Sequence, residues 1–122
     1  MKTIYRLLFL ATLVLLTAAA QPRVGGLALD DPPQLFGNCN PTRVHFTGRI
    51  NATGPMDVTY VWIRSDNASA PPRVLHFTRS GPLTINYDWT LRGPAKGWVK
   101  FRVLAPQQLE SRPVYFTVNC GR

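Results

Sequence analysis

Leu83-Thr84-Ile85-Asn86-Tyr87-Asp88-Trp89-Thr90-Leu91 is the stretch on which the fold turns. Leu83, Ile85, Tyr87, Trp89 and Leu91 fall on one side, and Thr84, Asn86, Asp88 and Thr90 on the other. A period of two with one apolar and one polar side is the pattern of a half-buried β-strand. Upstream, Arg43 to Ile50 repeats the pattern, with Val44, Phe46, Gly48 and Ile50 against Arg43, His45, Thr47 and Arg49. Val58 to Arg64 sets Val58, Tyr60 and Trp62 against Thr59, Val61 and Ile63, and a shorter strand is expected from Arg73 to Thr78. Downstream, Trp98 to Leu104 sets Val99, Phe101 and Val103 against Trp98, Lys100 and Arg102. A last strand, Pro113 to Cys120, turns Val114, Phe116 and Val118 inward.

Turn residues separate these segments at regular spacing, and eleven prolines punctuate the chain. No segment keeps a helical period for three turns. Short strands spaced by turns point to an all-β sandwich, with a small Greek-key barrel as the rival. The count is six clear strands and a seventh around Gln34 to Phe36, about seven in all, enough for two inner faces over one core.

The amino terminus reads as a cleavable export signal over residues 1–20. Lys2 and Arg6 precede an apolar run from Leu7 to Leu16, and Ala18-Ala19-Ala20 supplies the small residues of a cleavage site before Gln21. The run is shorter than the ~20 residues of a spanning helix. Residues 21–33 mix Gly, Pro and two aspartates without a period and read as a flexible lead-in, followed by the domain at 34–122. Without Lys2 and Arg6, the 14 basic residues become 12 against 6 acidic ones. That surplus suits either solubility or an anionic partner.

Export decides the reading of the cysteines. Cys39 and Cys120 are the two in the chain, and a lone pair in an oxidising compartment is expected to join. Sulfur is then unavailable for catalysis or for a metal. His45 and His76 have no carboxylate at ligand spacing along the chain, so no metal site and no cofactor are expected. Ser65, Ser69, Ser80 and Ser111 lie in no Gly-x-Ser-x-Gly elbow. Asp30 and Asp31 fall in the lead-in, and Asp57, Asp66, Asp88 and Glu110 in loops or on an outer face, which leaves no carboxylate pair for glycosidase chemistry. No enzyme is expected. Asn51-Ala52-Thr53 and Asn67-Ala68-Ser69 match the N-glycosylation pattern, which matters only in a eukaryotic host.

Several stretches then read together: Cys39-Asn40-Pro41 leading into Val44-His45-Phe46-Thr47-Gly48-Arg49-Ile50, Gly54-Pro55 before Val58-Thr59-Tyr60-Val61-Trp62-Ile63-Arg64-Ser65-Asp66, then Trp89-Thr90-Leu91, Gly97-Trp98-Val99, Val103-Leu104-Ala105-Pro106 and Phe116-Thr117-Val118-Asn119-Cys120. This ordered set resembles small exported bacterial modules of immunoglobulin-like or fibronectin type III-like kind, over Asn38 to Cys120. The resemblance implies an immunoglobulin-like antiparallel β-sandwich and carries no catalytic motif. In antibody-type domains a buried disulfide joins the sheets beside a tryptophan. Trp62 fits the tryptophan's place, but Cys39 and Cys120 lie outside the strand interiors, so a clasp between opening and closing segments is expected instead.

In that topology the Trp98 strand lies between the Tyr60/Trp62 strand and the last one. Val61, Ile63, Trp98, Lys100, Arg102 and Tyr115 then share an exposed aromatic and basic face, a mixture typical of recognition surfaces. The expectation is a secreted, non-catalytic module that docks on another extracytoplasmic protein through this face. The alternative is binding of a polyanion or cell-wall glycan through Arg43, Arg49, Arg73 and Arg79. Neither nucleic acid nor an integral membrane segment is expected.

Overall fold

A computed structural model describes residues 21–32, 34–37, 39 and 41–120. Nine strands follow in chain order among them: β1 (Val24–Leu29), β2 (Leu35–Gly37), β3 (Thr42–Ala52), β4 (Met56–Arg64), β5 (Arg73–Phe77), β6 (Gly81–Leu91), β7 (Ala95–Ala105), β8 (Leu109–Glu110) and β9 (Val114–Cys120). The decisive stretch lies in β6, which pairs antiparallel with β3 from Thr42↔Leu91 to Ala52↔Gly81 without a register break. β1 adds to the other side of β3, giving one sheet of order β1-β3-β6. The second sheet runs β2-β9-β7-β4-β5, with β8 also on β7. All pairings are antiparallel except β2 with β9.

The inward residues of both sheets form one core. Val44, Phe46, Ile50, Val58, Val99, Phe101 and Val103 are wholly buried, and Trp62 is 2% exposed. Rings fill the space between the sheets. Trp62 stacks on Tyr87 with centroids 5.4 Å apart and meets Phe101 edge-on at 5.4 Å. Phe116 is met edge-on by Phe46 at 5.6 Å and by Trp89 at 5.1 Å. Such tilted and offset contacts are the favourable arrangements for aromatic quadrupoles. Gly48 makes room for this packing: a Cβ there would sit 3.0 Å from Phe101 Cε1 and 3.1 Å from the Ala28 carbonyl oxygen.

The two cysteines are joined, Cys39 to Cys120, with Cα atoms 5.4 Å apart across a separation of 81 residues. The bond lies where β2 runs beside β9, next to the Gly37↔Cys120 pair. It is a clasp at one end of a sheet, with Cys39 buried among the core residues and Cys120 exposed. The bond fits an oxidising compartment. The leader expected over residues 1–20 lies outside the described residues.

Two elements differ from the sequence reading. The lead-in of residues 21–33 contains β1, a strand bulged between Val24 and Gly26. Val-Gly-Gly-Leu-Ala-Leu shows no alternation, and β3 recruits it by tertiary pairing: Asp30 N–H donates to the Thr47 carbonyl at 3.0 Å, and Thr53 N–H to the Arg23 carbonyl at 2.9 Å. The second is β8, two residues docked on Arg102 and Val103. Between β8 and β9, Pro113 has no N–H to give. Ser111 carries the ladder toward it: its N–H donates to the Phe101 carbonyl at 2.9 Å, and its hydroxyl accepts the Phe101 N–H at 3.0 Å. Leu83, expected to face inward, keeps 36% exposure because β6 is the last strand of its sheet.

Candidate binding face

Outward residues of β4, β7 and β9 lie on one surface because their registers align. Val61 stands opposite Arg102 and Ile63 opposite Lys100, while Trp98 stands opposite Tyr115. These are the six residues singled out from the sequence, and the fold brings them together. Val61, Ile63, Trp98 and Lys100 are half-buried, Arg102 is exposed, and Tyr115 is 67% exposed. Lys96, opposite Thr117, adds a further cation to the same row. Along β7 the outer face therefore reads Lys96, Trp98, Lys100, Arg102. Alternation would have revealed Lys96 had the strand been started at Ala95 instead of Trp98.

Side chains on this face hold one another. Lys100 Nζ lies 5.2 Å above the centre of the Trp98 ring, within the range of a cation–π contact. Glu110, which the sequence reading leaves as a solvated acid, reaches across from β8. Its carboxylate accepts from Arg102 at 2.6 and 3.0 Å and pairs with Lys100 at 3.2 Å. Arg102 first, then Lys100, hold the Glu110 carboxyl below its ordinary range. One of the three positive charges of the basic row is thereby compensated, and Lys100 and Arg102 are fixed in place.

At the end of the sandwich, Arg64 closes the core. Its guanidinium lies 4.2 Å from the centre of the Trp89 ring, donates to Asp66 and donates to the Tyr87 hydroxyl at 3.3 Å. The hydrogen bonds from Arg64 hold the Asp66 carboxyl below its ordinary range. Both carboxyls have folded values below their unfolded ones, so the stability they add is complete above the unfolded range and is lost as pH falls through the folded one. Both are more than one-third exposed, and the effect is correspondingly modest. The expected thermal midpoint is level from pH 8 to about 5 and falls below about pH 4. Glu110→Gln flattens part of that fall when melting is followed by circular dichroism; an unchanged acid limb contradicts the assignment.

Both histidines have carboxylate partners that spacing along the chain conceals, because each partner comes from the neighbouring strand. His45 Nδ1 lies 2.5 Å from Asp88 and its Nε2 3.1 Å from Asn86 Oδ1, across the β3–β6 ladder. His76 Nδ1 lies 2.5 Å from Asp57 across the β4–β5 ladder. His76 also borders a shallow depression with Ser80 at the β5–β6 turn. No hydrogen bond joins His76 to Ser80 among the described residues, and the His76–Asp57 pair is 71% and 66% exposed. No group of three potential metal ligands is found among the described residues.

The arginines of the polyanion reading do not converge. Arg43 and Arg49 lie on the outer face of the three-stranded sheet, where Arg49 is held by both oxygens of Asp30 at 2.9 and 3.2 Å. Arg73 begins β5 and Arg79 lies in the turn after it. Asn51 and Asn67 are both exposed.

No family model matches the chain, and no curated protein is found to be similar to it. Among solved structures, the crystal structure of the C-terminal domain of Wzt is similar at 10% identity and a TM-score of 0.48, with 83% of this chain and 75% of that one covered.

Proposed function

We propose that this domain is a secreted, non-catalytic docking module that binds another extracytoplasmic protein through the outer face of β4, β7 and β9. The observation that carries the reading is the alignment of three cross-strand pairs, Val61 with Arg102, Ile63 with Lys100 and Trp98 with Tyr115. The alignment places aliphatic, aromatic and cationic groups side by side on a rigid sheet. Aromatic residues and arginine are the enriched anchors of protein interfaces, and a sheet presents them with little ordering cost on binding. The net charge of the row calls for a partner with carboxylates around an apolar, ring-accepting surface.

Chemical crosslinking in producing cells, followed by purification of the domain, tests this reading. The Trp98→Ala/Lys100→Ala variant is expected to lose its crosslinked exported partner while its thermal midpoint stays within about 3 °C of wild type, as for surface substitutions. Retention of the partner, or a large fall in midpoint, contradicts it. Dissociation that tracks salt steeply instead favours the polyanion reading, since an aromatic-centred interface is less sensitive to screening.

A further inference from the structure

Along one flank of the sandwich lies a groove of about 680 Å³ between the two sheets. One wall is the unbroken run Val24 to Asp30, and the other is Gln107 with the run Leu109 to Arg112. A strand that offers one face to a groove lines it with alternate residues; a consecutive run lines it only by its edge. β1 is terminal in its sheet, so this edge has no strand partner among the described residues. Asp30 N–H points to β3, where the Thr47 carbonyl accepts it at 3.0 Å. By alternation the backbone groups of Ala28 also face β3, and those of Leu27 and Leu29 face the groove, about 7 Å apart.

Gln107 already demonstrates what this edge accepts. Its carboxamide oxygen takes the Val24 N–H at 3.1 Å, and its carboxamide N–H is returned to the Val24 carbonyl at 3.4 Å. These are the two bonds that a neighbouring strand would make. Leu27, Leu29 and Leu109 are partly buried against the core and give the groove an apolar floor. Of its charged residues, Asp30 is held by Arg49, and Glu110 by Lys100 and Arg102. Arg112 is exposed and has no anionic partner among the described residues.

We propose that the groove between β1 and β8 binds an extended peptide segment that carries an acidic residue. The segment adds as a strand to the β1 edge, sets alternate apolar side chains against Leu27, Leu29 and Leu109, and brings its carboxylate to Arg112. Of the residues described on the face of β4, β7 and β9, this site shares Glu110 alone.

The test is titration of the folded, oxidised domain with a capped seven-residue peptide of alternating valine and threonine with a central aspartate, followed by amide NMR. Saturable shifts are expected at Leu27 and Leu29. They are expected to vanish with a peptide N-methylated along one edge, and Arg112→Ala weakens binding roughly three- to tenfold. Gln107→Ala frees another residue of the edge, so the Val24 amide begins to respond. No saturable response at millimolar peptide, or an equal response to the N-methylated peptide, overturns strand addition. Unchanged affinity in Arg112→Ala overturns the acidic ligand class.

Discussion

Replacing Cys39 and Cys120 together by serine is expected to lower the unfolding free energy by about 4 to 5 kcal/mol. The bond closes a loop across 81 residues, and a loop of that length restricts the unfolded chain strongly on the chain-entropy account. For a domain of roughly 100 residues the corresponding fall in thermal midpoint is on the order of 20 °C. Cys39 is buried in the core, but the ring contacts of Phe46, Trp62, Tyr87, Trp89, Phe101 and Phe116 do not involve the clasp, so the variant should still fold in the cold with the same far-ultraviolet circular dichroism. Denaturant melts of the oxidised, reduced and double-serine forms check this. Equal midpoints in all three would mean that the clasp does not stabilise the sandwich.

Trp62→Ala carries the second large effect, a loss of about 3 to 5 kcal/mol. Trp62 is 2% exposed and touches both Tyr87 and Phe101, so its removal leaves a cavity at the centre of the ring cluster. Its indole nitrogen is buried without a hydrogen-bond partner among the described residues. Trp62→Phe keeps much of the ring volume and relieves that unsatisfied donor, so its cost is expected to be well under half that of the alanine variant. Equilibrium unfolding of the pair separates the volume of the residue from its polar atom. Equal losses would contradict the picture of an unsatisfied nitrogen whose removal is a relief.

Much of the sandwich is legible in the chain because one wet face imposes a period of two. Val44, Phe46 and Ile50, or Val99, Phe101 and Val103, announce their strands by what they avoid as much as by what they bury. β1 and β8 announce nothing, since one is Gly-Gly-interrupted and the other is two residues long. Each is a strand because a neighbour's free edge satisfies its backbone.

The candidate face follows the same division. Val61, Ile63, Trp98, Lys100, Arg102 and Tyr115 are found by asking which residues the core leaves outside. Glu110 is not found that way, because its place beside Arg102 depends on how residues 106–108 return the chain. The same holds for the histidines: Asp88 is 43 residues from His45 along the chain and opposite it in the ladder. Local pattern reveals which way a side chain points; register decides which side chain it meets.

The docking claim is tested most directly by site-specific photocrosslinking in producing cells, with a photoreactive phenylalanine placed at position 115 or, on the opposite sheet, at position 86. Tyr115 and Asn86 are both exposed and lie on the outer faces of different sheets. The predicted result is a discrete crosslinked product from position 115 and none from position 86. Products of equal yield from both positions, or from position 86 alone, would contradict docking through the face around Trp98.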